Sequence, residues 1–141
     1  MKGRRVAWLG GLAAIAAVLS GCATSTTRIY VDAPAKANGG TVMHLMVREG
    51  IETLATETYQ EVAAKLFAQP PDPAILDSQP VFPGDKVSIA IEDGENKDIV
   101  VYFFFTDPDG EWRVPLRKPL PAEVFIELGE RRIERAQVRR R

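Results

Sequence analysis

Residues that commonly act as nucleophiles or metal ligands are scarce in this 141-residue chain, which has one cysteine, Cys22, and one histidine, His44. A single cysteine cannot form an intramolecular disulfide. One cysteine and one histidine also cannot supply the usual nucleophile, base and orienting group of a hydrolase, or a typical zinc site. The sequence contains no GxxxxGK loop for phosphate binding. We therefore expect no enzymatic activity, no metal, no other cofactor and no small-molecule substrate.

Two acidic turn segments and the histidine remain as candidates for chemistry. The segments are residues 93–96 (Asp-Gly-Glu-Asn) and 107–111 (Asp-Pro-Asp-Gly-Glu). Neither has the spacing of a known calcium loop, so solvated turns are the simpler interpretation. His44 lies in an apolar segment, which is typical of a packed residue, and we assign it no chemistry.

The longest apolar run, residues 6–19, lies near the start of the chain and follows the basic residues Lys2, Arg4 and Arg5. Its 14 residues would form a helix of about 21 Å, which is shorter than the roughly 30 Å hydrocarbon core of a bilayer. A basic segment followed by a short apolar run is typical of a secretory signal peptide. The sequence therefore predicts a leader over residues 1–21.

The junction after the leader reads Leu19-Ser20-Gly21-Cys22. This sequence matches the lipobox of bacterial lipoprotein precursors, in which the thiol accepts a diacylglycerol group and the new N-terminus a further acyl chain. Residues 22–27 are small and polar after Cys22, as expected of a lipidated tether. Because Ala23 follows the cysteine instead of an aspartate, the sorting behaviour of such proteins favours the periplasmic face of the outer membrane.

Charge is unevenly distributed along the remainder of the chain. Residues 22–112 carry 15 acidic and 6 basic residues, whereas residues 113–141 carry 9 basic and 4 acidic ones. A basic end of this kind could contact nucleic acid, anionic lipid or an acidic partner, but a solvated tail is the simpler interpretation. The aromatic segment 102–105 has no interleaved Lys or Arg, so the sequence does not indicate nucleic-acid binding.

Alternating apolar residues and turn signals predict about seven strands and one helix. The helix, residues 51–68, has apolar residues at i, i+3, i+4 and i+7 and is stopped by Gln69-Pro70-Pro71. Pro83-Gly84 fits the centre of a type II turn. We predict a mainly β domain over residues 28–141, an antiparallel two-sheet β-sandwich with one inserted helix, with a partly open barrel as the alternative. The predicted strands are residues 28–33, 41–48, 87–92, 99–105, 111–116, 122–128 and 132–138.

The order of these features resembles that of the type VI secretion lipoprotein family TssJ. The matching segments cover most of the chain after the leader: Leu19 to Cys22, Val42 to Val47 with the following helix, Pro83-Gly84, and Tyr102 to Phe105 with Trp112-Arg113. The resemblance implies a transthyretin-like β-sandwich that docks the periplasmic domain of the inner-membrane protein TssM. It also implies that the loop between the first two strands contributes to this contact. In this chain the loop consists of Pro34, Ala35, Lys36, Ala37, Asn38, Gly39 and Gly40.

Two alternatives remain open at the level of sequence. The first is a pilotin or another assembly-factor lipoprotein that serves a different envelope complex. The second is an enzyme or solute binder with an acidic pocket, which would require converging buried carboxylates.

Overall fold

A computed structural model describes residues 24–92 and 97–141, which form eight strands and one α-helix. The predicted leader and Cys22 lie outside the described residues. The elements, in chain order, are β1 (Thr26–Asp32), β2 (Met43–Glu49), α1 (Tyr59–Lys65), β3 (Ile75–Val81), β4 (Lys86–Glu92), β5 (Ile99–Phe104), β6 (Arg113–Leu116), β7 (Glu123–Leu128) and β8 (Ile133–Arg139).

The strands form two four-stranded sheets. The first sheet has the order β4-β1-β7-β8 and the second the order β3-β2-β5-β6. Every strand pair is antiparallel except β1 with β7, which is parallel. The predicted mainly β sandwich is therefore confirmed, and the barrel alternative is wrong because the chain folds into two separate sheets.

The second sheet is covered on both faces, as the apolar patterns of its two central strands predict. In β2, Met43, Leu45 and Val47 enter the core between the sheets, while Met46 packs on the opposite face. In β5, Phe103 enters the same core and Tyr102 points the other way. Side chains alternate across a strand, so an uninterrupted apolar sequence fills two separate cores.

The helix is shorter than predicted and begins at Tyr59 rather than near residue 51. Thr58 and Glu61 form a capping box that fixes its start, and residues 52–56 form turns instead. Val62 is the buried residue of this helix and packs on the outer face of the second sheet. Within the described ranges, no helix is both long and apolar enough to cross a membrane.

One strand, β3, was not predicted. It lies in the proline-rich segment after the helix and contains Pro80 opposite His44 of β2. Proline lacks an N–H and is tolerated here because β3 is an edge strand of the second sheet. The Pro83-Gly84 turn that follows is confirmed: Gly84 has a φ of 92°, and the N–H of Asp85 bonds to the carbonyl of Phe82.

Candidate docking surface

Strand β1 connects the start of the described domain to the loop that the resemblance implicates in partner binding. The chain enters the sheet at Thr26 and leaves it at Asp32, directly before the β1–β2 loop. Seven extended residues span about 23 Å. The N-terminal segment and the candidate loop therefore lie at opposite ends of one strand.

Strand β1 is held on both sides, because β4 and β7 flank it in the first sheet. Its first residues are fixed further: the fully buried Thr27 hydroxyl donates to the carbonyl of Pro121 at 2.8 Å, and the Arg28 N–H donates to the carbonyl of Ala122 at 2.9 Å. The strand begins two residues earlier than predicted, so Thr26 and Thr27 belong to the sheet and not to a tether ending at residue 27.

Four connections meet at the end of the sandwich where β1 finishes, and we call this the loop end. The strand registers bring the end of β5 next to the start of β2 and the end of β7 next to the end of β1. The short β3–β4 turn joins the two sheets at this end. The four connections are residues 33–42, 82–85, 105–112 and 129–132.

Asn38 organises the β1–β2 loop from inside. Its backbone is left-handed, with a φ of 50°, and it is 5% exposed. Its Nδ2 donates to the carbonyls of Thr41 (3.2 Å) and Val42 (3.3 Å) and to Thr106 Oγ1 (3.2 Å). Its Oδ1 accepts from the Thr106 N–H at 2.8 Å. One side chain thus joins the β1–β2 loop to the β5–β6 loop.

The residues of the predicted loop differ in exposure, and this distinguishes those with a structural role from those able to contact a partner. Ala37 and Asn38 are buried, so their side chains cannot form an external contact, whereas Ala35 and Lys36 are exposed. Gly39 and Gly40 are also exposed and have positive φ angles, and they present backbone groups to the solvent. The contact that the loop offers is therefore small and mostly backbone, with Lys36 as its charged side chain.

The acidic turn after β5 is neutralised by arginines rather than left free to hold a cation. Asp107 pairs with Arg131 at 2.6 Å, and Asp109 pairs with Arg131 at 3.5 Å and Arg132 at 3.1 Å. Asp107 and Arg131 also line a cleft of about 270 Å³ beside the β1–β2 loop. Across residues 24–92 and 97–141, no group of His, Cys, Asp and Glu is arranged to hold a metal ion. The other acidic segment, residues 93–96, lies outside the described residues.

Three exposed apolar residues form a corner at the loop end that sequence reasoning missed. Val42 directly precedes β2, and Phe82 directly follows its neighbour β3; they are 44% and 53% exposed. Phe67, after the helix, is 72% exposed and meets His44 edge-on, with ring centroids 5.7 Å apart. We call Val42, Phe67 and Phe82 the apolar corner. The available signal was a large apolar residue beside the Pro83-Gly84 turn, where a polar one is usual.

The carboxylates that converge elsewhere are engaged by cations. Arg48 bonds Asp72 at 2.9 Å and Glu57 at 3.2 Å, and Lys65 pairs with Glu57 at 3.3 Å. A hydrogen bond from the Ala74 N–H is the main cause of a lowered pKa at Asp72; burial opposes it and Arg48 adds to it. Asp72 is therefore poorly suited to act as a base, and the network holds the helix segment on the second sheet.

The remaining residues singled out by the sequence have packing roles. His44 is half-buried and touches Phe67, as expected of a packed residue. Tyr102 is buried, and the Trp112 ring packs against Tyr102 and Tyr59 at centroid distances of 5.6 and 4.8 Å. The Arg113 guanidinium lies 5.0 Å from the Trp112 ring centroid. The aromatic segment of β5 thus packs the two cores.

Protein families and solved structures both include matches to this chain. The family model of the IglE N-terminal domain matches residues 44–128. Among curated proteins, none matches the sequence with significance.

The solved structures with this fold include two lipoprotein or membrane-bound components of type VI secretion systems. The T6SS lipoprotein TssJ1 from Pseudomonas aeruginosa is 19% identical, with a TM-score of 0.65 over 82% of this chain and 97% of that one. Lip of Serratia marcescens, a membrane-bound T6SS component, is 18% identical, with a TM-score of 0.60 over 80% and 97%. A chain in the structure of the T6SS protein TssM C-terminal domain (869–1107) from EAEC is 17% identical, with a TM-score of 0.63 over 79% and 97%. The expected TssJ-like sandwich is therefore confirmed as the fold of this chain.

Proposed function

The chain belongs to the family of the IglE N-terminal domain, and from this membership and its fold we propose that it is a structural component of a type VI secretion membrane complex. Acyl chains on Cys22 hold it in the outer membrane, on the periplasmic side. Its loop end docks the periplasmic domain of a TssM-type inner-membrane protein. It carries out no catalytic step.

The observation that carries the proposal is the arrangement of β1. A tether before Thr26 and a docked partner at the β1–β2 loop would pull on opposite ends of this strand. The strand is already extended and pairs with β4 along its whole length and with β7 from Arg28 onward, so tension lengthens it very little. A strand held in this way is suited to transmit force between a membrane and a large complex.

The docking surface combines the β1–β2 loop with the apolar corner. Large apolar side chains that are exposed together are typical of protein interaction sites. Phe82 and Phe67 supply the buried area that the small, glycine-rich loop lacks. One similar chain comes from the structure of a TssM C-terminal domain, which supports a TssM-type protein as the occupant.

The lipid anchor keeps the domain close to its partner. Each buried methylene group contributes about 0.8 kcal/mol, so several acyl chains attach a protein to a bilayer almost permanently. Contacts that are individually weak gain strength when both partners are held at the same surface. The docking surface can therefore be modest in size.

Affinity purification of the acylated protein from membranes of its host tests this function. We expect the TssM-type protein to copurify, and Phe82→Ser to reduce its recovery at least tenfold, as loss of a central apolar contact does. Phe125→Ser is the matched control, since Phe125 is a similarly exposed aromatic on the first sheet, away from the apolar corner. Recovery of a secretin without any type VI component would instead identify a pilotin.

A further inference from the structure

The topology brings the arginine-rich C-terminus to the end of the sandwich where the chain begins. Strand β8 runs antiparallel to β7, and β7 runs parallel to β1. Arg139 therefore lies opposite Glu123, at the end of the first sheet where β1 begins. The Arg141 guanidinium donates to the carbonyl of Thr26 at 2.7 Å. The basic end thus runs along strand β8, is exposed to solvent, and finishes beside Thr26.

Three arginines at this end are exposed, and we call Arg117, Arg140 and Arg141 the arginine cluster. Arg117 and Arg140 line one cavity of about 240 Å³, together with Pro119 and Val138. Val138 is 52% exposed, so the cavity has an apolar side as well as two guanidinium groups. A planar guanidinium can bind phosphate oxygens through two parallel hydrogen bonds.

The cluster keeps its positive charge within the described part of the chain. Glu123 is paired with the neighbouring Arg139, and the salt bridges of the described residues leave Arg117, Arg140 and Arg141 without a carboxylate partner. Glu92 lies opposite Thr26 in the β1–β4 pair, so it is near Arg141, but it is on the far edge strand of the sheet from Arg140 and the cavity that Arg140 shares with Arg117. One flank of the N-terminal end is therefore basic, although the chain as a whole is slightly acidic.

We propose that the arginine cluster binds anionic phospholipid headgroups of the membrane that carries the protein. The proposal rests on the attachment through Cys22 described above. Cys22 precedes Thr26 by four residues, which span at most about 14 Å. The cluster thus lies within reach of the headgroup layer. This layer is partly apolar, which suits the neighbouring side chains of Val138 and Pro119. Contact on this flank turns the loop end away from the bilayer, toward the space that the docking partner occupies.

The size of the effect follows from the number of charges. Each basic side chain near an anionic surface raises membrane partitioning by roughly fivefold at moderate salt, so three arginines give roughly a hundredfold. The interaction weakens as salt is added because these charges are exposed. The acyl chains provide the attachment, and the cluster fixes how the domain is oriented on the surface.

Cosedimentation with vesicles tests the cluster without the acyl chains. The protein used is residues 24–141, which contain both sheets and all the core residues described. At about 0.1 M salt, where the Debye length is about 10 Å, it should bind vesicles of phosphatidylcholine mixed with phosphatidylglycerol, and phosphatidylcholine alone only weakly. The variant Arg117→Gln/Arg140→Gln/Arg141→Gln should bind the mixed vesicles roughly a hundredfold more weakly.

The matched control is Arg131→Gln/Arg132→Gln/Arg135→Gln, which removes the same charge from the half of the domain nearer the loop end. It should bind within about threefold of the unchanged protein, because those positions lie beyond a Debye length of about 10 Å from the surface. Equal losses in the two variants, equal binding to neutral vesicles, or no vesicle binding would each overturn the proposal. Displacement by sodium phosphate, at matched ionic strength, would indicate a site for free phosphate instead.

This experiment is independent of the proposed anchor, because residues 24–141 lack Cys22. Mass spectrometry of the protein from its host tests acylation separately. Vesicle binding with an unmodified Cys22 would retain the cluster and refute the anchor. An acylated Cys22 without vesicle binding would retain the anchor and refute the role of the arginine cluster.

Discussion

At the scale of single residues, Asn38 determines the shape of the surface proposed to dock the partner. Its side chain makes three hydrogen bonds as a donor and one as an acceptor, and two of the four link the β1–β2 loop to Thr106 on the β5–β6 loop. Asparagine is among the few residues that adopt a left-handed backbone without large strain. Both properties are needed at this position.

We expect Asn38→Ala to lower the free energy of unfolding by about 2–4 kcal/mol. Buried carbonyls and the Thr106 N–H lose their partner, and alanine is strained at positive φ. Urea unfolding followed by circular dichroism measures the change. Asn38→Gly should recover part of the loss, since glycine accepts the backbone angle but not the hydrogen bonds.

The matched control for Asn38 is Lys36→Ala in the same loop. Lys36 is exposed, so its removal should change the free energy of unfolding by less than about 0.5 kcal/mol. A loss in Asn38→Ala no larger than that of Lys36→Ala would contradict the role assigned to Asn38.

The sequence predicts a turn at Asn38-Gly39-Gly40 but not the burial of Asn38. Turn propensity is a local property, and these three residue types favour positive φ angles wherever they occur. The burial depends on Thr106, which lies 68 positions away in the chain and bonds Asn38 only once both sheets have formed. The same limit applies to Phe82, whose two neighbours in the apolar corner, Val42 and Phe67, come from two other segments of the chain.

At the scale of elements, the helix and β3 differ from their predictions for distinct reasons. The period of apolar residues extends from Ile51, but Arg48 draws Glu57 toward the second sheet, and the capping box at Thr58 then starts the helix. The Thr58-x-x-Glu61 pattern is visible in the sequence and would have given the correct start. Strand β3 was missed because Pro80 and the prolines that precede the strand weaken the local strand signal, while pairing with β2 stabilises it.

The Arg48 network predicts a pH dependence for this element. The pKa of the Asp72 carboxyl is held below its ordinary value, so its ionised form stabilises the fold above about pH 4, and this stabilisation is lost as the pH falls further. Asp72→Asn should therefore be less stable than the unchanged protein at pH 7. It should also lose less stability between neutral pH and pH values below 4.

Thermal melts across this pH range measure both effects. Asp85→Asn is the control, because Asp85 is an exposed carboxylate in the β3–β4 turn. A parallel pH dependence in the unchanged protein and in Asp72→Asn would contradict a stabilising role for the Asp72 carboxylate.

At the scale of the whole molecule, the fold class follows from alternation and turn signals, but the location of charge does not. Alternating residues in β7 and continuous apolar residues in β5 each predict how their faces are covered. The meeting of Arg141 with Thr26 requires the parallel pairing of β1 with β7, which no local pattern indicates. The basic C-terminus could therefore be recognised in the sequence but not positioned.

Loss of the proposed anchor should leave the domain folded. Both sheets and their core are formed by residues that follow Cys22 in the chain, so Cys22→Ser should retain the melting temperature of the domain. We expect this variant either to be released as a soluble protein or to be held by an uncleaved leader, with secretion lost. Membrane fractionation and the mass of the purified protein distinguish these outcomes, and normal outer-membrane attachment of Cys22→Ser would contradict acylation at this residue.

Site-specific photo-crosslinking in the host tests whether the loop end docks the TssM-type protein. A photoreactive residue at Lys36 should form a crosslink with the TssM-type inner-membrane protein. The same residue at Ala90, an exposed position in β4 away from the loop end, should not. Crosslinks to that protein from Ala90 and none from Lys36 would refute docking through the loop end.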